Sequence, residues 1–399
     1  MDLHGCLKEE FGSTVEVTAA GGDDVVDGVR PQVVAAPLDE AAALQLVRWC
    51  GQHKIALVPR GGGSKIGRGA PPQRCELILS SRHLNRVIDH DAGNATVSAQ
   101  SGVPLAELDR QMRERGQFLP LDFEAHPGAT LGGVIATNHS GATRLRYQTP
   151  RDLVVGMNVI LSDGRLLKNS SKVVKNVSGY DFGKLFIGSY GTLGFITSII
   201  VRLRPEDEQS SWWRQQFNSW EAAAEMATQI ISGNFEPALL RITAAKSTFT
   251  LTARFDGLAA SVQQQLQQLP PGNNDAPDAD HANTGATLSV LAHLPIARAL
   301  AFAQRAGDAG ADNVQWDAAL GVVAASWKNP AAIQPLIESL RRDAISHGGV
   351  MIVPKAPADQ KDAALVWGET RADFALHRQL KQRFDAAGIF SPGRFWGGI

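Results

Sequence analysis

Three glycine-rich clusters, each next to an apolar run of strand length, are the feature that most constrains this chain of 399 residues. The clusters read PRGGGSKIG at 59–67, PGATLGGVIATNHSG at 127–141 and GSYGTLGFIT at 188–197. Residues without a β-carbon let several backbone N–H groups converge on one anion or flat ligand. Hydroxyl and amide side chains between the glycines add further hydrogen-bonding groups. Together the clusters predict one long ligand with a pyrophosphate and two ring systems.

The first cluster alone leaves two alternatives open. Gly61, Gly63 and Gly67 have the spacing G-x-G-x-x-x-G with no helical pattern behind it, which does not match the dinucleotide fingerprint. No Gly-Lys-Ser/Thr stands in the frame that a Walker A loop requires. The cluster is therefore either a mobile turn or a phosphate loop of another kind, and the two further clusters favour the phosphate loop.

Apolar periodicity and chain breakers predict an α+β protein with several parts. The second half repeats one strand–helix–strand plan, which predicts paired split βαβ units. A stretch rich in Pro, Gly, Asn and Asp at 270–286 predicts a flexible connector. We expect a loosely held lead-in at 1–28, a domain at 29–205 with subdomains at about 29–105 and 106–205, a cap domain at 206–354 and a C-terminal segment at 355–399.

Composition excludes several classes of protein. Lys plus Arg (39) nearly balance Asp plus Glu (40), so the chain has no broad charge field for binding nucleic acid. Three cysteines are too few for a disulfide scaffold or a four-thiolate iron–sulfur site. No secretory signal opens the sequence, and no apolar run approaches the ~20 residues that span a bilayer. These features predict a cytoplasmic protein without a transmembrane segment.

The three clusters, in this order and at these spacings, resemble the FAD-binding domain of the vanillyl-alcohol oxidase, or PCMH-type, flavoproteins. The segments KNVSGYDFGKLFIGSYGTLG and DAAGIFSPGRF make the chain similar to the glycolate oxidase FAD-binding subunits (E subunits) in particular. The resemblance in sequence motifs is strong over 29–205 and good over 370–395. Between these ranges the chain matches the family in architecture more than in motif. It implies a PCMH-type two-subdomain FAD-binding domain, a smaller ferredoxin-like α+β cap domain, and a tail that returns to the FAD-binding domain.

The resemblance also implies which residues bind FAD. The first cluster would hold the pyrophosphate, and the second would line the ribityl chain and one side of the flavin. The third cluster would line the far side of the flavin, and the C-terminal tail would make a further contact with the cofactor. The implied residues are Arg60, Gly61, Gly62, Gly63, Ser64, Lys65, Gly67, Pro127, Gly128, Ala129, Thr130, Gly132, Gly133, Asn138, Ser140, Gly141, Gly191, Gly194, Ile196 and Arg394. Relatives with covalent flavin carry His at the position of Ser64 or Cys in the second cluster. This chain has neither, so we expect noncovalent FAD.

The function implied by the resemblance is oxidation of glycolate to glyoxylate within a glycolate oxidase complex. Electrons would pass to an iron–sulfur subunit beside a second FAD-linked subunit, and the complex would allow peripheral membrane association. The Gly-Glu-His-Gly element of related 2-hydroxy-acid dehydrogenases, which supplies a metal ligand and a base, is not reproduced. The nearest segments are His347-Gly348-Gly349 and Gly368-Glu369-Thr370. We therefore assign no catalytic residue and no metal site.

Two alternatives stay open at this point. One is a self-sufficient FAD-dependent dehydrogenase of another 2-hydroxy acid, which would need a proton acceptor that the sequence does not identify. The other is a flavin-loaded assembly subunit without catalytic activity, which the missing His element favours.

Overall fold

The computed structural model describes residues 2–122, 128–169, 182–245, 248–277, 285–370 and 372–399. The chain divides into two compact units. The first comprises Met1–Ser140, Thr149–Pro205 and Lys361–Ile399, and the second comprises Gly141–Gln148 and Glu206–Gln360.

Eighteen strands and thirteen α-helices lie within the described ranges. The strands are β1 (Val15–Ala19), β2 (Val33–Pro37), β3 (Leu57–Arg60), β4 (Leu77–Ser80), β5 (Val87–Asp91), β6 (Thr96–Gln100), β7 (Gln117–Phe118), β8 (Val154–Ile160), β9 (Leu166–Asn169), β10 (Phe195–Arg202), β11 (Arg204–Pro205), β12 (Gln209–Phe217), β13 (Pro237–Ala245), β14 (Thr248–Gly257), β15 (Leu288–His293), β16 (Asn313–Asp317), β17 (Val322–Trp327) and β18 (Val350–Lys355). The helices are α1 (Leu3–Phe11), α2 (Glu40–His53), α3 (Leu105–Arg113), α4 (Leu131–Thr137), α5 (Arg144–Tyr147), α6 (Pro150–Leu153), α7 (Gly183–Phe186), α8 (Trp220–Ser232), α9 (Ala259–Gln268), α10 (Ile296–Asp308), α11 (Ile333–Ser346), α12 (Ala363–Trp367) and α13 (Phe374–Phe384).

The first unit begins with a four-stranded sheet in the order β1-β2-β4-β3. Strands β2, β4 and β3 are parallel, and β1 joins β2 antiparallel. Every residue of β2 and of β4 is buried, as expected for parallel strands covered on both faces. Helix α2 begins where Asp39 accepts a hydrogen bond from Ala42 N at 2.8 Å, which satisfies one of the free amides at the helix start. The sheet places the end of β3, and hence the first glycine cluster, at one edge of this core.

The N-terminal residues differ from the expected loose lead-in. Leu3, Leu7 and Phe11 follow one another at the four-residue spacing of a helix face and are all buried. Behind them β1 pairs with β2 through residues 15–19 and buries Val15 and Val17. Polar and glycine-rich residues around these three positions obscure their helical spacing in the sequence. The helix and the strand behind it nevertheless both pack into the core.

A second sheet of the first unit is antiparallel, in the order β5-β6-β10-β8-β9. Strand β6 pairs with β10 from Gln100↔Ser198 to Thr96↔Arg202. Residues 87–100 therefore belong to the second sheet, and the division between the two subdomains falls before β5 instead of near residue 105. Sequence periodicity identifies β6 as a strand. It does not identify the strand with which β6 pairs, because β10 lies about a hundred residues further along the chain.

The second unit contains one seven-stranded antiparallel sheet, in the order β12-β14-β13-β16-β17-β15-β18. The half from β15 to β18 has the ferredoxin-like βαββαβ connection, and the half from β12 to α9 has the same plan without its last strand. Strands β13 and β16 join the halves. The predicted α+β class with a ferredoxin-like cap is confirmed.

Two segments of the second unit differ from what the sequence predicts, one in its domain and one in its structure. Residues 141–148, expected within the 106–205 subdomain, belong to the second unit, where Tyr147 OH donates towards Asp207 Oδ2 and Asp256 Oδ2. The connector is described only at its ends, because 278–284 lie outside the described residues. At its start, Asn273 exchanges two backbone hydrogen bonds with Arg214 (2.8 and 2.9 Å), so this part is paired with β12.

No helix in the described residues is both long and apolar enough to cross a membrane.

Candidate cofactor site

A cleft in the first unit opens where β3 ends and the first glycine cluster begins. Its described lining comes from β3, the three clusters, two strand ends and the C-terminal tail. The lining residues are Val58, Pro59, Arg60, Gly61, Gly62, Gly63, Ser64, Lys65, Ile66, Arg68, Ser81, Ser101, Thr130, Gly132, Gly133, Ala136, Thr137, Tyr190, Gly191, Gly194, Phe195, Ile196 and Arg394.

The first and second clusters are in direct contact. A β-carbon at residue 61 would overlap Thr130 Oγ1, and one at residue 62 would overlap the carbonyl oxygen of Gly128. The second of these neighbours is backbone, which has little freedom to move away. Glycine is therefore required at 62 for the two loops to pack together, and the same contact sets the wall of the cleft.

The third cluster packs on both of the others. Tyr190 N donates to Ala136 O (2.8 Å), which ties the third cluster to helix α4 of the second. Gly191 has φ +69°, and a β-carbon there would lie 3.2 Å from Pro59 Cγ in the first cluster. Three loops that are far apart in the sequence thus meet around a single cleft.

The backbone amides of the first cluster are unpaired in the described part of the chain. No hydrogen bond among the described residues has the amide of any of residues 61–65 as its donor, although the neighbouring amides of Ile66 and Arg68 donate to Gly63 O and Lys65 O, both at 3.0 Å. Free backbone N–H groups in consecutive residues form a concave site for an anion. This stretch is suited to a phosphate or diphosphate group.

Four buried polar side-chain atoms of the lining also lack a hydrogen-bond partner among the described residues: Lys65 Nζ, Ser101 Oγ, Thr130 Oγ1 and Arg394 Nη1. Leaving such groups unpaired costs about 1–3 kcal/mol each, and more for a charged group. Burial, assisted by the charge of Arg68, lowers the pKa of Lys65 to about 7, and Asp122 opposes the shift. An anion beside Lys65 would restore its charged form and supply the missing partner.

Further cations surround the same cleft. Arg60 forms an ion pair with Asp24 at 2.6 Å. Arg68 Nη1 lies 3.0 Å from His139 Nδ1, and burial lowers the pKa of this guanidinium. The lining is thus polar and cationic at the first cluster and small or apolar around Gly132, Gly194 and Ile196. A ligand with an anionic centre and flat ring systems matches that division.

Not every residue implied by the resemblance lies on the cleft. The lining includes Arg60, Gly61, Gly62, Gly63, Ser64, Lys65, Thr130, Gly132, Gly133, Gly191, Gly194, Ile196 and Arg394. Residues of the implied set that are not part of the lining are Gly67, Gly128, Ala129, Asn138 and Ser140. Gly141 falls in the second unit, and Pro127 lies outside the described residues.

The structure shows the surroundings of four of these residues. The carbonyl of Gly67 accepts a hydrogen bond from Lys361, on the tail side of the loop. Gly128 has φ +80° and supports Gly62 from behind, and Ala129 is buried with its carbonyl accepting from Leu105 N (2.9 Å). Asn138 is the exposed left-handed residue that ends α4.

Sequence reasoning missed several lining residues. Ser81 and Ser101 directly follow strands β4 and β6, and both are buried. Small polar residues immediately after buried strands were the available signal for them. Arg68 and Tyr190 lie inside or next to the quoted motifs, but nothing in their spacing indicates that their side chains face the ligand. The remaining ones are Val58, Pro59, Ile66, Ala136, Thr137 and Phe195.

The residues present fit FAD. The unpaired amides of 61–65 and the buried Lys65 ammonium suit its diphosphate, and the glycine contacts create room for its rings. A β-carbon at residue 132 would lie 2.6 Å from Ser101 Cβ, and one at residue 194 would lie 2.8 Å from Val159 Cγ1, so a side chain at either position would displace the backbone that forms the cleft wall.

Comparisons with known proteins agree with this fit. Residues 31–170 match a family described as an FAD binding domain. The chain is 34% identical to "Glycolate oxidase subunit GlcD" of Bacillus subtilis over 210 residues, 53% of this chain and 45% of that protein. It is 39% identical to a D-2-hydroxyglutarate dehydrogenase of Xanthomonas citri over 173 residues, 43% of this chain and 37% of that protein. The chain thus spans less than half the length of these curated relatives.

The fold extends beyond the matched domain. An alkyldihydroxyacetonephosphate synthase structure covers 91% of this chain, which in turn covers 76% of that structure, with a TM-score of 0.70 and 18% identity. At this identity the similarity concerns the fold, and it supports the PCMH-type architecture. Residues 31–170 thus match the family described as an FAD binding domain, and the cofactor of this chain is FAD.

Proposed function

We propose that this chain is an FAD-dependent oxidoreductase acting on the CH–OH group of a 2-hydroxy acid, and that it works as the FAD-binding subunit of a glycolate oxidase complex. The observation that carries the proposal is the first cluster, where unpaired amides at 61–65 and a buried lysine face one cleft. The names of the relatives, a glycolate oxidase subunit and a 2-hydroxyglutarate dehydrogenase, support the substrate class.

The residues of the cleft have separate roles in this proposal. The amides of 61–65 and the Lys65 ammonium bind the diphosphate, and the hydroxyls of Ser101 and Thr130 donate to polar groups of the cofactor. Gly132 and Gly194 leave space for its rings. When bound, FAD supplies an acceptor for the hydride that leaves C2 of the hydroxy acid. The hydroxyl proton of the substrate then needs a separate acceptor.

The described residues do not identify that proton acceptor. No group of three His, Cys, Asp or Glu side chains within the described residues is arranged to hold a metal ion. His347 Nδ1 lies 2.8 Å from Asp343 O at the end of α11, which engages one of its two ring nitrogens. We propose that a partner subunit supplies the acceptor.

A partner would also carry the electrons onward. The three cysteines of the sequence are too few for a four-thiolate cluster, and burial raises the pKa of Cys50 and of Cys75 to about 12. An iron–sulfur subunit would therefore reoxidise the flavin in this proposal.

A second candidate is a self-sufficient dehydrogenase. The relative at 39% identity is named a D-2-hydroxyglutarate dehydrogenase, which supports a larger 2-hydroxy acid as the substrate of such an enzyme. A flavin-loaded subunit without catalytic activity is the remaining alternative.

Anaerobic reduction of the bound flavin distinguishes these candidates. The chain is purified alone and after co-expression with a flavoprotein and a cysteine-rich partner, and mixed with glycolate, D-lactate or D-2-hydroxyglutarate. Bleaching of all the flavin in the co-expressed complex by glycolate, without bleaching of the isolated chain, supports the main proposal, whereas bleaching of only the partner's share of the flavin supports a non-catalytic subunit. Bleaching of the isolated chain supports the second candidate. A flavin that no hydroxy acid reduces in either preparation would mean a non-catalytic subunit.

A further inference from the structure

The C-terminal tail is fixed beside the strand that leads into the first cluster. Leu57 N donates to Ile389 O, and Ser391 N donates to Leu57 O, both at 2.8 Å. Ile389 and Phe390 are fully buried. Leu57 is the first residue of β3, whose last residue, Arg60, opens the loop of residues 61–68. The tail and the loop are thus attached to the same short strand.

Two buried cations of this C-terminal region reach the loop directly. Lys361 Nζ donates to Gly67 O, and Arg394 Nη2 donates to Ile66 O (2.6 Å) and to Arg68 O. Their side chains are only 1% and 3% exposed. Three consecutive loop carbonyls are therefore held by charged donors from a segment some three hundred residues further along the chain.

The two positive charges of Lys361 and Arg394 are not balanced by their only carboxylate partner among the described residues, Asp27. Asp27 Oδ1 lies 2.9 Å from Lys361 Nζ, and Asp27 Oδ2 lies 3.9 Å from Arg394 Nη1. Arg394 Nη1 is buried without a hydrogen-bond partner among the described residues, and Arg394 also lines the cleft. Buried cations are stable only when paired or well hydrogen-bonded. An anion in the cleft would supply the missing negative charge.

The two sides of the loop have complementary roles. The carbonyls of 66–68 are engaged by the tail, whereas the amides of 61–65 stay unpaired on the cleft. The turn hydrogen bonds from Ile66 N to Gly63 O and from Arg68 N to Lys65 O, both 3.0 Å, connect these halves. Holding the carbonyls therefore also fixes the backbone that carries the free amides and Lys65.

We propose that Lys361 and Arg394 are positioning residues for the diphosphate of the cofactor: they hold the loop of residues 61–68 in its anion-binding conformation, so that retention of FAD depends on the C-terminal region. The inference rests on FAD as the cofactor. It does not require the proposed oxidation of a hydroxy acid, and binding measurements test it even if no substrate reduces the flavin.

The test measures ligand dissociation constants of the full chain by titration. The variants Lys361→Met and Arg394→Met are compared with the unmodified chain for FAD and for ADP, which carries a diphosphate without the flavin. We expect both ligands to bind about tenfold to a hundredfold more weakly, as for loss of hydrogen bonds to a charged group. Lys361→Arg, which keeps a charged donor, should recover most of the affinity.

Lys381→Met is the matched control. Lys381 is a buried lysine of the same tail that donates to Thr192 O of the third cluster and to Phe390 O (both 2.7 Å), and it forms an ion pair with Asp385. Among the described residues it makes no hydrogen bond or ion pair with the loop of residues 61–68. A similar loss of FAD and ADP affinity in this control would mean a general effect of a weakened tail and would overturn the proposal. Loss of FAD affinity with unchanged ADP affinity in the Lys361 variant would overturn it too.

Arg394→Lys keeps the proposal testable if the methionine variants do not fold. Lysine preserves the charge but lacks the forked donor that reaches two carbonyls. We expect at least a fivefold loss of affinity for both ligands, and affinities equal to those of the unmodified chain would contradict the positioning role.

Discussion

Gly62 lies so close to the carbonyl oxygen of Gly128 that a β-carbon at residue 62 would overlap it. The contact joins the first cluster to the second and involves backbone on both sides. The conformation of the phosphate loop therefore depends on a segment that is distant in the sequence.

Gly62→Ala should weaken this contact severely. Because the obstructing atom is backbone, the loops must separate, and we expect a loss of about 1–3 kcal/mol in the free energy of unfolding with a marked loss of FAD affinity. Urea unfolding and FAD titration measure the two effects. Gly67→Ala is the control in the same loop, because its β-carbon would meet only Asp27 Oδ1 at an ordinary 3.7 Å. Equal effects of the two substitutions would argue against the contact as the cause.

FAD affinity should depend on pH through Lys65. Its pKa of about 7 in the unliganded chain means that the ammonium is largely neutral above pH 7, while a bound diphosphate favours the charged form. Binding above pH 7 then takes up a proton, so affinity falls as pH rises, by at most about tenfold per pH unit. Fluorescence titrations at several pH values measure the slope. Lys65→Arg should flatten it, and an unchanged slope in that variant would assign the dependence to another group.

FAD should be released from the denatured protein. A covalent link needs a nucleophilic side chain at the flavin. The described lining of the cleft contains no His and no Cys, and burial raises the pKa of the lining Tyr190, which disfavours its nucleophilic phenolate. We therefore expect acid precipitation to leave the yellow colour in the supernatant. Colour that stays with the precipitate would show a covalent bond and contradict this prediction.

Tyr147→Phe should destabilise the second unit. The hydroxyl lies 2.7 Å from Asp207 Oδ2 and 2.6 Å from Asp256 Oδ2, and its removal leaves buried acceptors with one donor fewer. We expect a loss of about 1–3 kcal/mol, measured by urea unfolding at neutral pH. Asp207→Asn keeps an acceptor oxygen at the more exposed partner and should cost less.

The hydrogen bonds and charges around Asp256 also predict a loss of stability in acid. Burial alone would raise the pKa of Asp256, but the hydrogen bonds and charge of Arg254 lower it below the ordinary carboxyl value. The stabilisation is therefore present above the carboxyl pKa of the unfolded chain and is lost as pH falls through the lower folded value. Unfolding midpoints from neutral to acidic pH measure this, and Tyr147→Phe should reduce the acid-dependent part.

The sequence reached the α+β class through local patterns, and the FAD cofactor and most of the cleft lining through the family resemblance that the glycine clusters carry. Glycine spacing reports where backbone can approach a ligand, and apolar periodicity reports helices and strands. The lead-in shows the limit of such patterns: Leu3, Leu7 and Phe11 have helical spacing, but their burial depends on a strand and sheet elsewhere in the chain.

What the sequence by itself determined is therefore the chemistry of the site: glycine loops for an anion and flat rings, with FAD as the ligand that the family resemblance implies. The tertiary structure alone decided which residues meet there. Ser81, Ser101 and the C-terminal cations Lys361 and Arg394 reach the site or its supporting loop only through packing between segments remote in sequence. Local propensity carries no information about such contacts, because they arise from how sheets and tail fill space together.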